Sequence, residues 1–317
     1  MNPVKIAVIG AGNMAREHLK AFAHVGGVTL TGIYSRTRSR AEEVAADYPG
    51  MEVCNSVEEL YQRTGADLVI VTVRELSMAA VAAEAFCFPW KVLLEKPAGY
   101  DLADAKRIVD AAAGREGEVF VALNRRAYGS TRNALSALAG CDAPRFVKVL
   151  DQQDQAAARD IYGEPPEVVK NYMFANSIHL IDYFHVFGRG EITDVTSVVP
   201  WTPEQPGMVV ASIRFSSGDI GLYEGCWDGP GPWMVTVTHR ELRAEMRPLE
   251  QLTLQRRGER KLVSVDGDPL DTALKPGLGW QARQALAAVR GEAHSLPTLA
   301  DSWKSMVLVA KIFGLGA

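Results

Sequence analysis

"KIAVIGAGNMAREHLKAF", Lys5 to Phe22, decides how the first part of this chain folds. A short apolar run ends on Gly10. Gly12 and Ala15 then complete the spacing G-x-G-x-x-G/A, and a helical pattern follows at once. The three small residues do different things. The first makes the turn, the second lets a pyrophosphate approach the backbone, and the third lets helix pack on strand. The helix start offers free N–H groups to the phosphates. The spacing alone is weak evidence, but a strand before it, a helix after it and a second strand on schedule make it specific. The plainer alternative is a glycine turn that holds no ligand. Gly10, Gly12, Asn13 and Met14 are therefore candidate contacts to a bound dinucleotide.

Working outward, the first 120 or so residues alternate short apolar strands with alanine-rich helices, the pattern of parallel βαβ units. The strands are "KIAVIG", "VTLTGIY", "DLVIVTV", "KVLLEK" and "VFVALN", with a weak one at "MEVCN". Near Asn124 the character changes. A helix at "STRNALSALAG" leads to "PRFVKVLDQQD", and a helical segment near 176–187 precedes "DVTSVVPW", "MVVASIRFSS", "DIGLYEGCW", "WMVTVTHRELRAEM" and "QLTLQRRG". Successive strands joined by short turns such as "SSGD" predict an antiparallel sheet in an α+β domain. The tail, "GWQARQALAAVRG" and "LADSWKSMVLVAKIF", is helical again. The expected fold is α/β: a doubly wound parallel sheet over 1–123, then an α+β domain over 124–317 for substrate and oligomerisation, with the last helices able to pack back on the first domain.

Bulk properties narrow the function. The 317 residues suffice for two cores, and 47% apolar with 23% charged residues is ordinary for a globular protein. The 34 Lys and Arg against 38 Asp and Glu leave a formal charge of −4 with no basic stripe, which argues against nucleic acid as a partner. Cys54, Cys87, Cys141 and Cys226 are scattered, so disulfides and a zinc site are not expected. The opening residues lack the pattern of a signal peptide, and no apolar stretch approaches the ~20 residues that span a bilayer. The chain reads as cytoplasmic, without a membrane partner.

The second strand ends in "GIYSRTRSR". An NAD-binding domain usually places an acid there, about 20 residues beyond the glycines, to hold the ribose 2′-hydroxyl. This chain has Ser35, Arg36, Arg38 and Arg40, and no acid until Glu42. A hydroxyl and guanidinium groups suit a 2′-phosphate, which a carboxylate would repel. NADP(H) is expected over NAD(H), with Ser35, Arg36 and Arg40 as contacts, although the arginines also suit a solvated helix start.

Beyond the glycine turn, "VLLEKPAGY" puts Glu95, Lys96 and Pro97 at the carboxyl end of the fifth strand, where ligands of doubly wound sheets bind. An ammonium group there can polarise a carbonyl or hold an alcohol oxygen. Pro97, if cis, would aim Lys96. "GAGNMAREHLKAF", "LLEKPAGYDLADAKRIVDAA", "IHLID" and "KPGLGWQARQALAAVRG" together resemble the glucose–fructose oxidoreductase, inositol dehydrogenase and MocA family (Gfo/Idh/MocA). The resemblance implies a Rossmann domain, a second domain on a large open antiparallel sheet, and nicotinamide-dependent chemistry on sugars, cyclitols or nucleotide sugars. It further implies that Lys96 contacts cofactor and substrate.

The family's D-x-x-x-H-x-x-D helix corresponds here to "ANSIHLIDYFHVFG": His179 and Asp182 match, but Ala175 replaces the first acid. By resemblance, His179 exchanges the proton with the substrate hydroxyl, assisted by Lys96. With the acid missing, Asn176 or Tyr172 could stand in, or Lys96 could be the main donor. A metal bound by His179, Asp182 and His185 is disfavoured, since positions six apart on a helix do not face one site. Asn124, Arg125 and Arg126 follow the last Rossmann strand and are expected, with Tyr172, Asn176 and Asp182, to touch substrate. Thr72 and Glu95 complete the expected cofactor contacts, although Ser77 stands where the family has a histidine. Two functions compete: an NADP(H)-dependent oxidoreductase on a carbohydrate-like hydroxyl or ketone, and a dinucleotide-gated binding protein without turnover. An open sheet with one uncovered face predicts a homodimer or homotetramer.

Overall fold

The protein is described from a computed structural model covering residues 2–204 and 207–315. The chain forms two compact units: Met1–Asn124 with Leu270–Trp303, and Arg125–Pro269 with Lys304–Ala317.

The first unit is built on six parallel strands, β1 (Val4–Ile9), β2 (Val28–Tyr34), β3 (Glu52–Cys54), β4 (Leu68–Val71), β5 (Lys91–Leu94) and β6 (Val119–Val121), in the order 3-2-1-4-5-6. Parallel strands lie covered on both faces, so they read as unbroken apolar runs rather than alternations. β4, "LVIV", is buried at all four positions. Between the strands run α1 (Asn13–Val25), α2 (Arg38–Ala45), α3 (Val57–Thr64), α4 (Glu75–Ala85) and α5 (Leu102–Ala111). Ser56 caps α3 by accepting the Glu59 N–H, and Asp101 caps α5 by accepting the Asp104 N–H. Such caps satisfy donors that a helix start leaves unpaired.

The second unit is an eight-stranded sheet of β7 (Phe146–Gln153), β8 (Ile192–Val199), β9 (Met208–Phe215), β10 (Ile220–Trp227), β11 (Met234–His239), β12 (Leu242–Met246), β13 (Leu252–Arg256) and β14 (Val263–Val265). The order is 14-13-12-11-7-10-9-8, and every neighbouring pair is antiparallel except β7 with β10. Alternation is clear on the central strands. Val147, Val149, Asp151 and Gln153 of β7 turn inward while Phe146 and Lys148 turn outward. The inner face carries α6 (Gly129–Ala137), α9 (Ile178–Ile181) and α10 (Tyr183–Phe187), while α7 (Gln155–Asp160) and α8 (Pro166–Lys170) pair with each other. "WMVTVTHRELRAEM", read above as one strand, is a hairpin: β11 and β12 pair from His239–Leu242 back to Val235–Met246 around Arg240 and Glu241.

The last three helices are α11 (Pro269–Ala273), α12 (Leu278–Val289) and α13 (Leu299–Phe313). Leu278, Ala282, Ala285 and Leu286 of α12 enter the same core as Leu19 and Phe22 of α1. This explains why α1 buries one stripe, Ala15, His18, Leu19, Ala21 and Phe22, although the sheet alone would not cover it. No helix among the described residues is long and apolar enough to cross a membrane. Neither a metal-binding cluster nor a disulfide is present among them.

Candidate functional site

In the first unit the expected contacts gather at the carboxyl edge of the parallel sheet. Gly10 follows β1, Ser35 follows β2, Thr72 follows β4 and Lys96 lies two residues past β5. Since β1 is flanked by β2 and β4, the glycine turn sits where the strand order reverses, the place at which such sheets bind ligands.

The turn is shaped for close approach. Gly10 has φ +106°, and a Cβ on it would meet the Thr72 carbonyl oxygen and Oγ1 at 2.6 Å each. Only glycine fits. At Gly12 a Cβ would meet nothing within 4 Å, so the missing side chain leaves an open cradle. Gly12 is also the N-cap of α1, which has no side-chain cap and no acidic residue in its first turn. Unlike α3 and α5, this helix presents its N–H groups and positive dipole end uncompensated, and an anion is their natural complement. The residues therefore fit a dinucleotide pyrophosphate, with Asn13 and Met14 opening the helix beside it.

At the β2 edge, Ser35 is half-buried and its Oγ accepts the Thr37 N–H at 3.3 Å. Arg38 is occupied, donating to Glu42 at 2.8 Å and to Asn55 at 2.6 Å. Arg36 and Arg40 are exposed and have no side-chain partner among the described residues. No acid stands at the end of β2 to oppose a 2′-phosphate.

At the β5 edge, Glu95 is buried. It accepts the His18 Nε2 of α1 at 2.6 Å on one carboxylate oxygen and the Lys96 N–H at 3.1 Å on the other. Both oxygens are engaged within the unit. Lys96 is half-buried, and its bond to Pro97 is cis. Asn124, also buried, donates its amide to the Pro276 carbonyl at 3.0 Å, which anchors the "KPGLGW" segment ahead of α12.

In the second unit His179 is buried at 5% exposure on α9, directly after a π-helical turn at Met173–Ser177. Such turns are rare and recur at functional sites. Asp182, three residues on, is held in a two-pronged pair by Arg126: Nε to Oδ2 at 2.7 Å and Nη2 to Oδ1 at 2.6 Å. Ser305 adds a hydrogen bond at 2.6 Å. Burial pushes the Asp182 carboxyl up, but the Arg126 charge, its hydrogen bonds and that of Ser305 outweigh this and leave it below the usual range. Two expected substrate contacts thus hold each other. His185, pushed down by burial, joins no metal cluster.

Asn176 does not face the vacancy left by Ala175. Its amide donates to Gln153 Oε1 at 2.8 Å, and Gln153 in turn donates to Asp151 at 2.6 Å. Asp151 also accepts the Tyr223 hydroxyl at 2.8 Å. Burial raises the Asp151 carboxyl despite hydrogen bonds from Ser177, Tyr223 and Gln153 and the nearby Arg125 charge. Tyr172 is half-buried just before the π turn.

Sequence reasoning passed over Trp233. Its ring centroid lies 6.4 Å from that of His179, and the Arg125 guanidinium sits 4.7 Å above it. The only cue was an aromatic after the turn "DGPGP".

Comparisons with known proteins bear on the first unit and on the fold. A family profile described as "Oxidoreductase family, NAD-binding Rossmann fold" matches residues 4–123. Residues 4–123 thus match the profile of the Gfo/Idh/MocA family. It is 31% identical over 109 residues to an inositol 2-dehydrogenase of Streptomyces avermitilis, a match covering 34% of this chain and 32% of that protein. It is 24% identical over 234 residues to a 4-carboxy-2-hydroxymuconate-6-semialdehyde dehydrogenase of a Sphingobium species, covering 72% and 74%. A UDP-N-acetylglucosamine 3-dehydrogenase structure from Acidithiobacillus ferrooxidans superposes with a TM-score of 0.78 at 20% identity, over 99% of this chain and 98% of that one. The inositol dehydrogenase match spans about a third of that relative.

Proposed function

We propose that this protein is an NADP(H)-dependent oxidoreductase that interconverts a hydroxyl and a ketone on a sugar-like substrate. The observation that carries the reading is the uncapped α1 N-terminus behind Gly10 and Gly12, aligned with Lys96 along one sheet edge. When bound, the nicotinamide would accept or supply the hydride. Lys96 holds the reacting oxygen, and His179 exchanges its proton. Burial of His179 and its packing near Trp233 limit water there. The inositol and nucleotide-sugar dehydrogenases among the relatives support a polyhydroxy substrate. We place the protein in the cytoplasm, in keeping with its unbridged cysteines. Absorbance at the reduced-nicotinamide band, followed across sugars, cyclitols and nucleotide sugars, tests the reading. Cofactor binding without turnover of any polyol or ketone would overturn it. That outcome is what the dinucleotide-gated binding protein predicts, a reading favoured by Ala175 and by an Asn176 turned to Gln153.

The NADP(H) preference rests on Ser35, Arg36 and Arg40. Arg36→Ala is expected to cut the ratio of NADP to NAD affinity roughly tenfold, because a charge-assisted bond to the 2′-phosphate is lost. Titration of both dinucleotides checks this, and an unchanged ratio would remove the argument.

We also propose self-association through the outer face of the eight-stranded sheet, where Phe146, Met208 and Ile220 are exposed and share a side with the Lys148–Glu224 pair. Ile220→Asp should then shift the mass measured by light scattering toward the monomer.

A further inference from the structure

A cavity of about 380 Å³ in the second unit is lined by Arg125, Trp233, Arg247, Glu250 and the prolines Pro232 and Pro248. Its volume is in the range of small-molecule sites. Arg125 is half-buried, and its Nε is fully enclosed without a hydrogen-bond partner. An enclosed donor left unmade is costly, and a guanidinium is most readily satisfied by a carboxylate or phosphate oxygen. Arg247 adds an exposed second cation with no ion pair among the described residues.

The walls are held in place. The Arg125 carbonyl accepts the Thr131 hydroxyl at 2.9 Å, and the Leu249 carbonyl accepts that of Ser130, which ties the Arg247 loop to α6. The Trp233 indole donates to the Gln152 carbonyl at 2.7 Å, which fixes the ring plane. Asp151, which the Arg125 charge influences, has its carboxyl pushed up by burial. Glu250 on the rim offers acceptors suited to hydroxyl groups.

We propose that this cavity binds the anionic group, carboxylate or phosphate, of a polyhydroxy substrate whose ring lies on Trp233, so that the natural substrate is a sugar acid or sugar phosphate rather than a neutral sugar. Trp233, which lines the cavity, has its ring centroid 6.4 Å from that of His179, the candidate proton-exchanging group. The inference rests on the oxidoreductase reading and deepens it. A relative whose name carries a carboxylate-bearing substrate points the same way.

The test is calorimetric titration of the full chain, saturated with NADP, against matched sets: glucose, glucuronate and glucose 6-phosphate, then galactose, galacturonate and galactose 6-phosphate. At least one acid or phosphate should bind about tenfold or more tightly than its neutral partner, and which of the two does so separates carboxylate from phosphate. Arg125→Gln and the surface variant Arg247→Ala should each collapse that ratio, with thermal unfolding recorded to confirm that both variants are folded. Failure of every anionic member to outbind its neutral partner overturns the proposal, as does a ratio that survives both substitutions. Oxidation of a neutral sugar by the wild-type chain, with no gain in affinity or kcat/KM for its acid or phosphate, would sink the cavity and leave the oxidoreductase standing. Tight anion binding without turnover would do the reverse.

Discussion

Lys96→Met is expected to slow turnover by about 10²–10⁴-fold while leaving dinucleotide binding largely in place. Methionine keeps the reach and apolar stem of the lysine and removes only the ammonium. Lys96 lies two residues beyond β5, and its backbone N–H is fixed by the buried Glu95, which His18 holds in turn. On the proposed reading this charge acts on the reacting oxygen, and the phosphates lie at the glycine turn and α1. The effect therefore belongs in kcat more than in cofactor affinity. Single-turnover kinetics with NADP, together with a cofactor titration, separate the two. A loss of less than about tenfold in kcat would remove Lys96 from the chemistry.

The second large effect concerns stability. Arg126→Ala is expected to cost about 3–5 kcal/mol, because it strands a buried carboxylate whose partner supplied two hydrogen bonds and a charge. Replacing both partners, Arg126→Met with Asp182→Leu, should recover much of the loss. The pH dependence has a definite sign. The folded Asp182 carboxyl lies below its unfolded value, so its contribution is present above the unfolded pKa and is lost as the pH falls through the folded one. The wild-type chain should lose that contribution on acidification, and the alanine variant should have none to lose. Urea unfolding of both proteins at neutral and acid pH measures this. A neutral-pH difference below about 1 kcal/mol would show that the pair is not stabilising.

These expectations differ in how much of them the residues alone disclose. The parallel sheet was legible because its signals are local: a glycine turn at fixed spacing, short apolar runs, and helices with one buried stripe. The same locality made Arg38 hard to judge, since Glu42 is a visible partner four residues away but Asn55 is not. The Arg126–Asp182 pair spans 56 positions, and nothing near either residue marks the other. Arg240 and Glu241 carry no turn signature, so the hairpin between β11 and β12 reads as a continuous strand. Trp233 matters through what folds beneath and above it, which only tertiary packing reveals. Alternation on β7 does place Asp151 inward, but not with Tyr223 and Gln153 as its partners.

The return of Leu270–Trp303 to the first unit bears on any attempt to divide the gene. Expressed alone, residues 1–124 would lack α12 and expose Leu19 and Phe22 to water, inviting aggregation. A fragment that can be handled in isolation needs the two sequence stretches fused by a linker, or supplied together as separate chains.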